Sequence, residues 1–208
     1  MPTILVLLIA AFFSIICVFG TIIYLDTITQ VIKPPKLNHS EGSDEVTGAE
    51  AKATYHEDKE TGEIKAQASL SGPGTAQASA QMGHDFHNNS AKQRTFIVTL
   101  SFDYRTSVKI DAGAANSKGI VEATAGPELH NFAENVQTGA GQQENPAGEG
   151  LASAKQKFLV TVDPDKKIPV FLKITAAAEA SDEASEATCS SEVMGKVTEI
   201  TFRPKMLF

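Results

Sequence analysis

A period of two in hydrophobicity is the feature of this chain that most restricts its fold. In residues 64–70 (IKAQASL) and 75–82 (TAQASAQM), apolar side chains occupy every second position. Successive side chains of a β-strand point to opposite faces of a sheet, so the alternation predicts strands with one buried and one solvated face. Ser71-Gly72-Pro73-Gly74, between the two segments, is typical of a turn. We therefore expect these two strands to form a β-hairpin.

Longer apolar strands follow the same rule. Residues 96–102 (FIVTLSF), 158–162 (FLVTV) and 168–174 (IPVFLKI) alternate in the same way, and the sequence predicts turns at 103–106 and 163–166. Residues in the buried phase of these strands should form the core. The predicted core residues are Phe96, Val98, Leu100, Phe158, Val160, Leu172, Ile174 and Phe202.

Two stretches of the chain resemble each other. Residues 92–115 and 155–180 each contain a basic opening, an apolar strand, a turn, a second strand and an Ala-rich tail. This repetition predicts two pseudo-symmetric hairpins within one domain. With the last apolar run before Pro204, the chain contains about nine or ten short strands. The predicted fold class is all-β, a two-sheet antiparallel sandwich or jelly roll, preceded by one N-terminal transmembrane helix.

The N-terminal segment is apolar and carries no charged side chain from Thr3 to Leu25. A helix of that length spans about 35 Å, enough to cross the hydrocarbon core of a bilayer. A cleaved signal peptide would have a basic leader and a small-residue cleavage site, and neither is present. We therefore predict an uncleaved, single-pass signal anchor over residues 1–30, with residues 3–25 in contact with membrane lipid.

The residues that follow give mixed information on orientation. Lys33 and Lys36 favour a cytoplasmic domain by the positive-inside rule, whereas the composition of the domain favours an extracytoplasmic location. We predict the extracytoplasmic location. Pro34-Pro35 and the polar residues after it predict a spacer over residues 31–50, followed by the β-sandwich domain over residues 51–208.

Two further stretches lack the strand pattern. Residues 130–150 are polar and Gly-rich, which predicts a mobile loop. Asn38-His39-Ser40 and Asn88-Asn89-Ser90 match the N-glycosylation triplet, a pattern that also arises by chance.

Charge and cysteine content exclude some functions. The net charge of -7 disfavours binding to nucleic acid, because an acidic surface repels phosphate. Lys155 with Lys157 and Lys166 with Lys167 are the main basic clusters, and we interpret them as solvated strand edges, with a small anion-binding patch as the alternative. Cys17 lies in the apolar segment and Cys189 near the C-terminus, so we expect no disulfide and a buried Cys189.

The sequence contains no recognisable catalytic motif. Nucleophile-elbow, zinc-protease, phosphate-loop and dinucleotide-binding patterns do not occur, so we predict no enzyme activity, no catalytic residue and no cofactor. For a metal, the candidates are His84, Asp85 and His87 (GHDFH), with His130 or His56 as a third ligand.

Acidic residues in two predicted turns could supply oxygen ligands to calcium. Asp163 with Asp165 and Asp182 with Glu183 are the pairs concerned. Both this group and the histidine group lack the spacing of an established metal site, so we predict polar loop residues and no metal.

The strand segments resemble a known group of proteins in composition. Alternating Ala runs, F-x-V-x strands and an aliphatic pair of strands that leads into more alternating Ala, over residues 62–203, are similar to the secreted β-sandwich domains of bacterial surface proteins of the PEP-CTERM and choice-of-anchor type. The resemblance implies a role at the cell surface or in the matrix, and it transfers no catalytic residue. The C-terminal anchor of that group does not occur, so the N-terminal segment would replace it.

We therefore predict a membrane-anchored structural or adhesive surface protein that contacts protein or matrix through its β-sandwich, with self-association as an option. The alternative is a ligand-binding module for carbohydrate or divalent metal. A binding module should present a concave patch of convergent polar or aromatic side chains. A structural module should present a flat face or an open strand edge.

Overall fold

A computed structural model of the chain describes residues 28–148, 150–181, 183 and 186–205. These residues form twelve β-strands, and none of the described segments is helical. In chain order the strands are β1 (Gln30–Ile32), β2 (His39–Thr47), β3 (Ala51–Asp58), β4 (Glu63–Ser71), β5 (Gly74–His87), β6 (Arg94–Ala112), β7 (Ala115–Ala125), β8 (Glu128–Gln137), β9 (Gly141–Asn145), β10 (Ala152–Val162), β11 (Lys167–Ala180) and β12 (Thr188–Pro204).

The strands form two antiparallel sheets that face each other. The seven-stranded sheet has the order β10-β6-β12-β4-β3, with β1 beside the last part of β12 and β9 beside the last part of β6. The five-stranded sheet has the order β2-β5-β11-β7-β8. The strands β4, β12, β6 and β10 face β5, β11, β7 and β8, which is the arrangement of a jelly roll. The predicted two-sheet antiparallel sandwich is confirmed.

The core lies between the two sheets, where the apolar phase of each strand points inward. All eight predicted core residues are buried, and none is more than 5 % exposed. Ala66, Ala78 and Ala176 lie on the inner faces with no exposed surface, and such small side chains allow the sheets to approach closely. Cys189 is buried as predicted, and its burial raises the pKa of the thiol.

A cluster of aromatic rings fills the end of the sandwich at which β12 terminates. The rings of Phe86 and Phe202 stack with centroids 4.3 Å apart, and Phe96 meets Phe86 edge-on at 4.7 Å. Such pairs add about 0.5–1.5 kcal/mol each beyond the area they bury. β1 enters at this end, because Gln30 pairs with Phe202.

The predicted hairpins are wrong, although their strands are present. β4 belongs to the seven-stranded sheet and β5 to the five-stranded one, so residues 71–74 cross from one sheet to the other. Residues 163–166 likewise connect β10 and β11 across the sandwich. The turn predicted at 103–106 is absent, because β6 runs through it without interruption. The two similar stretches of sequence therefore form neither hairpins nor equivalent halves.

The predicted spacer over residues 31–50 also differs from the structure. β2 pairs along its length with β5, and the side chains of Ile32 and Leu37 are buried in the core. Both faces of β2 are largely exposed at the sheet edge, so its sequence has no apolar alternation to indicate a strand. The β-rich unit thus begins before residue 51.

Residues 130–150, predicted as a loop, contain most of β8 and all of β9. β8 pairs with β7, and β9 pairs with β6 from Gly141 to Asn145. Both are edge strands with mostly exposed side chains, which explains the polar sequence.

The predicted membrane anchor covers residues 1–30. Residues 1–27 lie outside the described part of the chain, and only the last three positions of the anchor are described. Within the described part of the chain, no helix has the length and apolar character needed to span a bilayer. The anchor therefore stays a prediction.

Candidate functional site

The outer face of the seven-stranded sheet carries rows of polar side chains set by the strand register. Partner residues in adjacent antiparallel strands point to the same face, so the pairings of β3, β4, β12, β6 and β9 define each row. Three rows follow, with about 4.8 Å between strands. They are Lys52–Ser69–Ser190–Lys109–Gln142, Thr54–Gln67–Glu192–Ser107–Glu144 and His56–Lys65–Met194–Arg105.

Side-chain size along these rows produces a depression, which we call the sheet groove. In the first row the short side chains of Ser69 and Ser190 lie between the long side chains of Lys52 and Lys109. The depression has a volume of about 480 Å³ and also includes Thr54, Gln67, Ser107, Arg105 and Glu192 in its lining. Five strands across make the polar face about 19 Å wide.

A hydrogen-bond network holds the charged side chains on the β4–β12 side of the groove. Glu192 accepts a hydrogen bond from the Gln67 amide at 2.5 Å and pairs with Lys65 at 3.1 Å. All three lie on adjacent strands in the middle of the sheet. Their mutual contacts restrict the rotamers of long side chains that would otherwise be mobile in solvent.

A second network orders the β6–β9 side. Arg105 pairs with Glu144 at 3.1 Å, and Glu144 also accepts hydrogen bonds from Gln142 and from the backbone N–H of Gly148. The Gly148 N–H and then the Arg105 guanidinium lower the pKa of Glu144, so this carboxylate is ionised at neutral pH. The arginine is therefore held in a defined position at the edge of the groove.

Several groups in the groove retain hydrogen-bonding capacity. The hydroxyls of Thr54, Ser107 and Ser190 have no hydrogen-bond partner within the described part of the chain. Lys52 forms no ion pair with any described carboxylate. The groove therefore offers both donors and acceptors to a polar ligand.

The outer face of the five-stranded sheet is different in charge. Its exposed phase carries five glutamates, and His39 stacks on Phe171 with ring centroids 5.1 Å apart. These glutamates are Glu41, Glu45, Glu122, Glu134 and Glu179. Lys118 is paired with Glu134 at 2.7 Å. The same face also carries Gln77, Gln81 and Lys173, and the Gln81 amide donates to Glu41 at 2.8 Å, so this face too presents donors and acceptors.

A second cavity, the end pocket, lies where the sandwich terminates near β1. It has a volume of about 680 Å³, and the rings of Phe86, Phe96 and Phe202 form its apolar part. Its polar lining comes mainly from Gln30 and the loop between β5 and β6, together with His87 and Arg94. The three rings expose no more than 6 % of their surface, so they offer edges rather than a platform for stacking.

The structure does not bring the predicted metal ligands together. On β5, His84 lies on the inner face, whereas Asp85 and His87 point outward. Asp85 pairs with His39 at 3.2 Å and His87 with Asp165 at 2.9 Å. Histidines three positions apart share a face on a helix but lie on opposite faces of a strand.

His84 makes contacts within the sandwich through both its Nδ1 atom and its ring. Its Nδ1 donates to the Lys36 carbonyl oxygen at 3.2 Å, and its ring lies 6.4 Å from that of Phe202. Burial lowers the pKa of His84, an effect that the Lys36 carbonyl and Asp85 partly offset. The neutral imidazole is therefore the form that fits this site.

The remaining candidate metal ligands lie in different parts of the structure. His56 lies on β3 and His130 on β8, in different sheets. Asp163 accepts a hydrogen bond from Gln93 at 2.6 Å, and Asp182 lies outside the described residues. Across the residues that the structure describes, no three His, Cys, Asp or Glu side chains are grouped to hold a metal ion. The absence of a metal in the working protein stays a prediction.

Sequence reasoning did not find the groove residues. They come from four strands between residues 52 and 192, and no local motif links them. The alternation does indicate which side chains of each strand are polar and outward-facing. Which of these side chains are neighbours depends on the strand order, and the sequence does not give that order.

Comparison with known proteins gives only remote similarities. No family model and no curated protein matches this chain. Among solved structures, the family 11 carbohydrate-binding module of Clostridium thermocellum, in complex with a β-1,3-1,4-mixed-linked tetrasaccharide, is similar with 10 % identity and a TM-score of 0.26. The match covers 86 % of this chain and 98 % of that one.

Two further structures are similar at the same level. TmCBM61 in complex with β-1,4-galactotriose has 9 % identity and a TM-score of 0.23, with 79 % of this chain and 88 % of that one covered. Infectious bursal disease virus (Gx strain) has 6 % identity and a TM-score of 0.22, with 81 % and 36 % covered. At such TM-scores no functional conclusion follows, and the function must be argued from the geometry of this chain.

Proposed function

We propose that this protein is a glycan-binding module that takes an oligosaccharide in the sheet groove. The observation that supports the proposal is the set of three polar rows across five strands. Sugar hydroxyls both donate and accept hydrogen bonds, so they match a surface where unpaired hydroxyls lie beside ordered amide, carboxylate and guanidinium groups. The residues that line the groove come from four adjacent strands, a width of about 14 Å, which offers room for a short oligosaccharide.

The chemistry of the groove also sets the expected strength of binding. None of the described lining residues is aromatic, so recognition would depend on hydrogen bonds without ring stacking. Each such bond replaces one made to water, which leaves a small net gain. We therefore expect weak affinity, with a Kd of about 1 mM, or ~-4 kcal/mol.

A glycan array followed by calorimetry tests the proposal. Gln67→Ala should weaken binding of the selected oligosaccharide about tenfold, since it removes a ligand contact and releases Glu192. Ser190→Tyr should abolish binding by filling the floor of the groove. The matched control is Gln77→Ala, on the outer face of the five-stranded sheet, and it should bind like wild type. Equal binding by wild type and Ser190→Tyr would refute the groove as the site.

Surface display is the second part of the proposal. Residues 3–25 would anchor the chain in a membrane with the sandwich on the extracytoplasmic side, where matrix glycans are present. Carbonate extraction tests the anchor, because a single-pass protein stays with the washed membranes. Release of the full-length chain into the wash would contradict it. Binding to such glycans would give the protein an adhesive role without enzyme activity.

A structural role through self-association is the second candidate. The edge strand β8 exposes Leu129 to 60 % and Val136 to 42 %, and an unpaired edge with apolar side chains favours pairing with another strand. Leu129→Lys should then shift the sedimentation profile of the protein from oligomer to monomer. A wild-type protein that is monomeric at all accessible concentrations would exclude this candidate.

A further inference from the structure

The end of the sandwich next to β1 is basic at its surface. Three segments that are distant in sequence meet there: the loop 88–93, the turn 163–167 and the C-terminal part of β12 with Lys205. Together they carry five exposed cationic side chains against two exposed carboxylates, Asp163 and Asp165. The cationic residues, which we call the basic end, are Lys92, Lys166, Lys167, Arg203 and Lys205.

Hydrogen bonds hold these segments in a fixed relation. The Asn88 N–H donates to the Lys166 carbonyl and the Asp165 N–H to the Asn88 carbonyl, each at 3.0 Å. The Asn88 side chain, which is 2 % exposed, donates to the carbonyl oxygens of Lys92 and Val162 at 3.0 and 2.9 Å. The N–H of Lys205 donates to Thr95 at 2.8 Å. The basic end is therefore a built surface and not a set of independent flexible loops.

The opposite end of the sandwich has the reverse charge. Its described residues, in the connections around positions 48–50, 71–74, 111–115, 137–141 and 179–188, include five carboxylates and no basic side chain. These carboxylates are Glu50, Asp111, Glu179, Glu183 and Glu186, of which Asp111 pairs with Lys109 at 2.6 Å. The two ends of the sandwich therefore differ in charge, with a cationic excess at the basic end and a carboxylate excess at the opposite end.

The chain enters the domain at the basic end. β1 runs antiparallel to the end of β12, with Gln30 opposite Phe202, so Ile28 lies level with Pro204. The uncharged run of residues 3–25 ends three positions before Ile28. Ile28 and Val31 each expose 48 % of their surface, although both are apolar. Positive charge and exposed apolar side chains therefore occur together at the point from which the apolar segment leaves.

We propose that the basic end docks on the headgroups of anionic lipids, which holds the sandwich upright with its acidic end away from the membrane. Lysine and arginine side chains near such a surface are attracted to the lipid phosphates, and the acidic end is repelled by them. Ile28 and Val31 would enter the interface between headgroups and acyl chains. The sheet groove would then lie on the side of an oriented domain, accessible to glycans.

A single tryptophan can report this docking, because the chain contains none. Asn89→Trp places the reporter in the exposed loop of the basic end. Gly139→Trp places it at the opposite end, where an added Cβ atom would meet no other atom within 4 Å. The full-length chain is reconstituted into vesicles of phosphatidylcholine alone or mixed with phosphatidylglycerol, with brominated lipid as quencher. Ala91→Trp, also exposed, serves if Asn89→Trp does not fold.

We expect quenching at position 89 only in vesicles that contain phosphatidylglycerol, with loss of quenching at high salt. Position 139 should not be quenched. Lys166→Glu/Lys167→Glu should lower the ratio of docked to undocked domain by at least roughly 30-fold, since loss of each lysine costs about fivefold near the surface and each new carboxylate is repelled by the lipid phosphates. The matched variant Lys155→Glu/Lys157→Glu, which makes the same charge change on β10, should leave this ratio near the wild-type value.

Three results would overturn the proposal. They are no quenching at position 89 with phosphatidylglycerol, equal quenching in vesicles of phosphatidylcholine alone, and equal quenching at positions 89 and 139. The first would mean that the domain does not approach the bilayer. The second would assign the approach to the apolar segment and not to the basic end, and the third would show that the domain has no fixed orientation.

Discussion

Asn88 shows how one buried polar residue can organise an end of this fold. Its side-chain amide donates to the carbonyl oxygens of Lys92, Val162 and Asp163, while its Oδ1 accepts from Ser90. Such full satisfaction is what makes a buried amide tolerable in an apolar environment. The side-chain nitrogen of Asn88 is hydrogen-bonded and shielded from solvent, so the triplet Asn88-Asn89-Ser90 is inaccessible to glycosylation in the folded protein.

Asn88→Ala should lower the free energy of unfolding by about 2–3 kcal/mol, because it removes the hydrogen bonds that the buried amide makes to three carbonyl oxygens and to Ser90. The neighbouring Asn89 is exposed, so Asn89→Ala should change stability by about 0.5 kcal/mol or less. Denaturant unfolding of the two variants makes the comparison. Equal effects would show that the hydrogen bonds of Asn88 do not hold the loop.

His84 should make stability depend on pH. Burial lowers its pKa in the folded state below the ordinary value of 6.5, so the unfolded state binds more protons in the range just below that value. The contribution of this group is fully present above pH 6.5 and is lost as the pH falls toward the folded-state pKa. His84→Asn, whose amide can donate to the same carbonyl of Lys36, should flatten the slope. Thermal melts from pH 7.5 to pH 5, about the range of this titration, measure it, and identical slopes would contradict the account.

At the scale of elements, the sequence predicts the faces of the strands but not their partners. Alternation correctly placed Ile64 and Leu70 inside on β4, and Phe158 and Val160 inside on β10. It could not show that β4 and β5 belong to different sheets, because a crossing connection and a hairpin turn use the same residue types. Edge strands such as β2 were missed because a strand exposed on both faces has no apolar phase.

The inward phase of β10 can be tested with two adjacent residues. Phe158 is 5 % exposed, and Phe158→Ala should cost about 3–5 kcal/mol of stability. Leu159, 48 % exposed on the opposite face, should cost no more than about 1 kcal/mol when changed to Ala. Denaturant unfolding compares the two. Since a register shift of one residue would exchange their positions, the reverse order of effects would show that the pairing of β10 with β6 is wrong.

At the scale of the whole molecule, both proposed binding surfaces arise from residues that meet only after folding. Lys52, Ser190 and Lys109 share one row of the sheet groove although more than 130 positions separate the first two. The basic end likewise joins Lys92, Lys166 and Lys205, which the sequence presents as scattered charges. The all-β class and much of the core could be predicted from periodicity. The site could not, because it depends on strand order.

Chemical-shift mapping with the oligosaccharide that binds best on the array tests the central claim most directly. We predict that addition of the glycan shifts the backbone amide signals of the groove strands, led by Ser69, Ser107 and Ser190, and leaves those of the end pocket unchanged. Shifts confined to residues 88–94 and 202–204 would place the ligand in the end pocket and contradict the account, and so would the absence of shifts at saturating glycan.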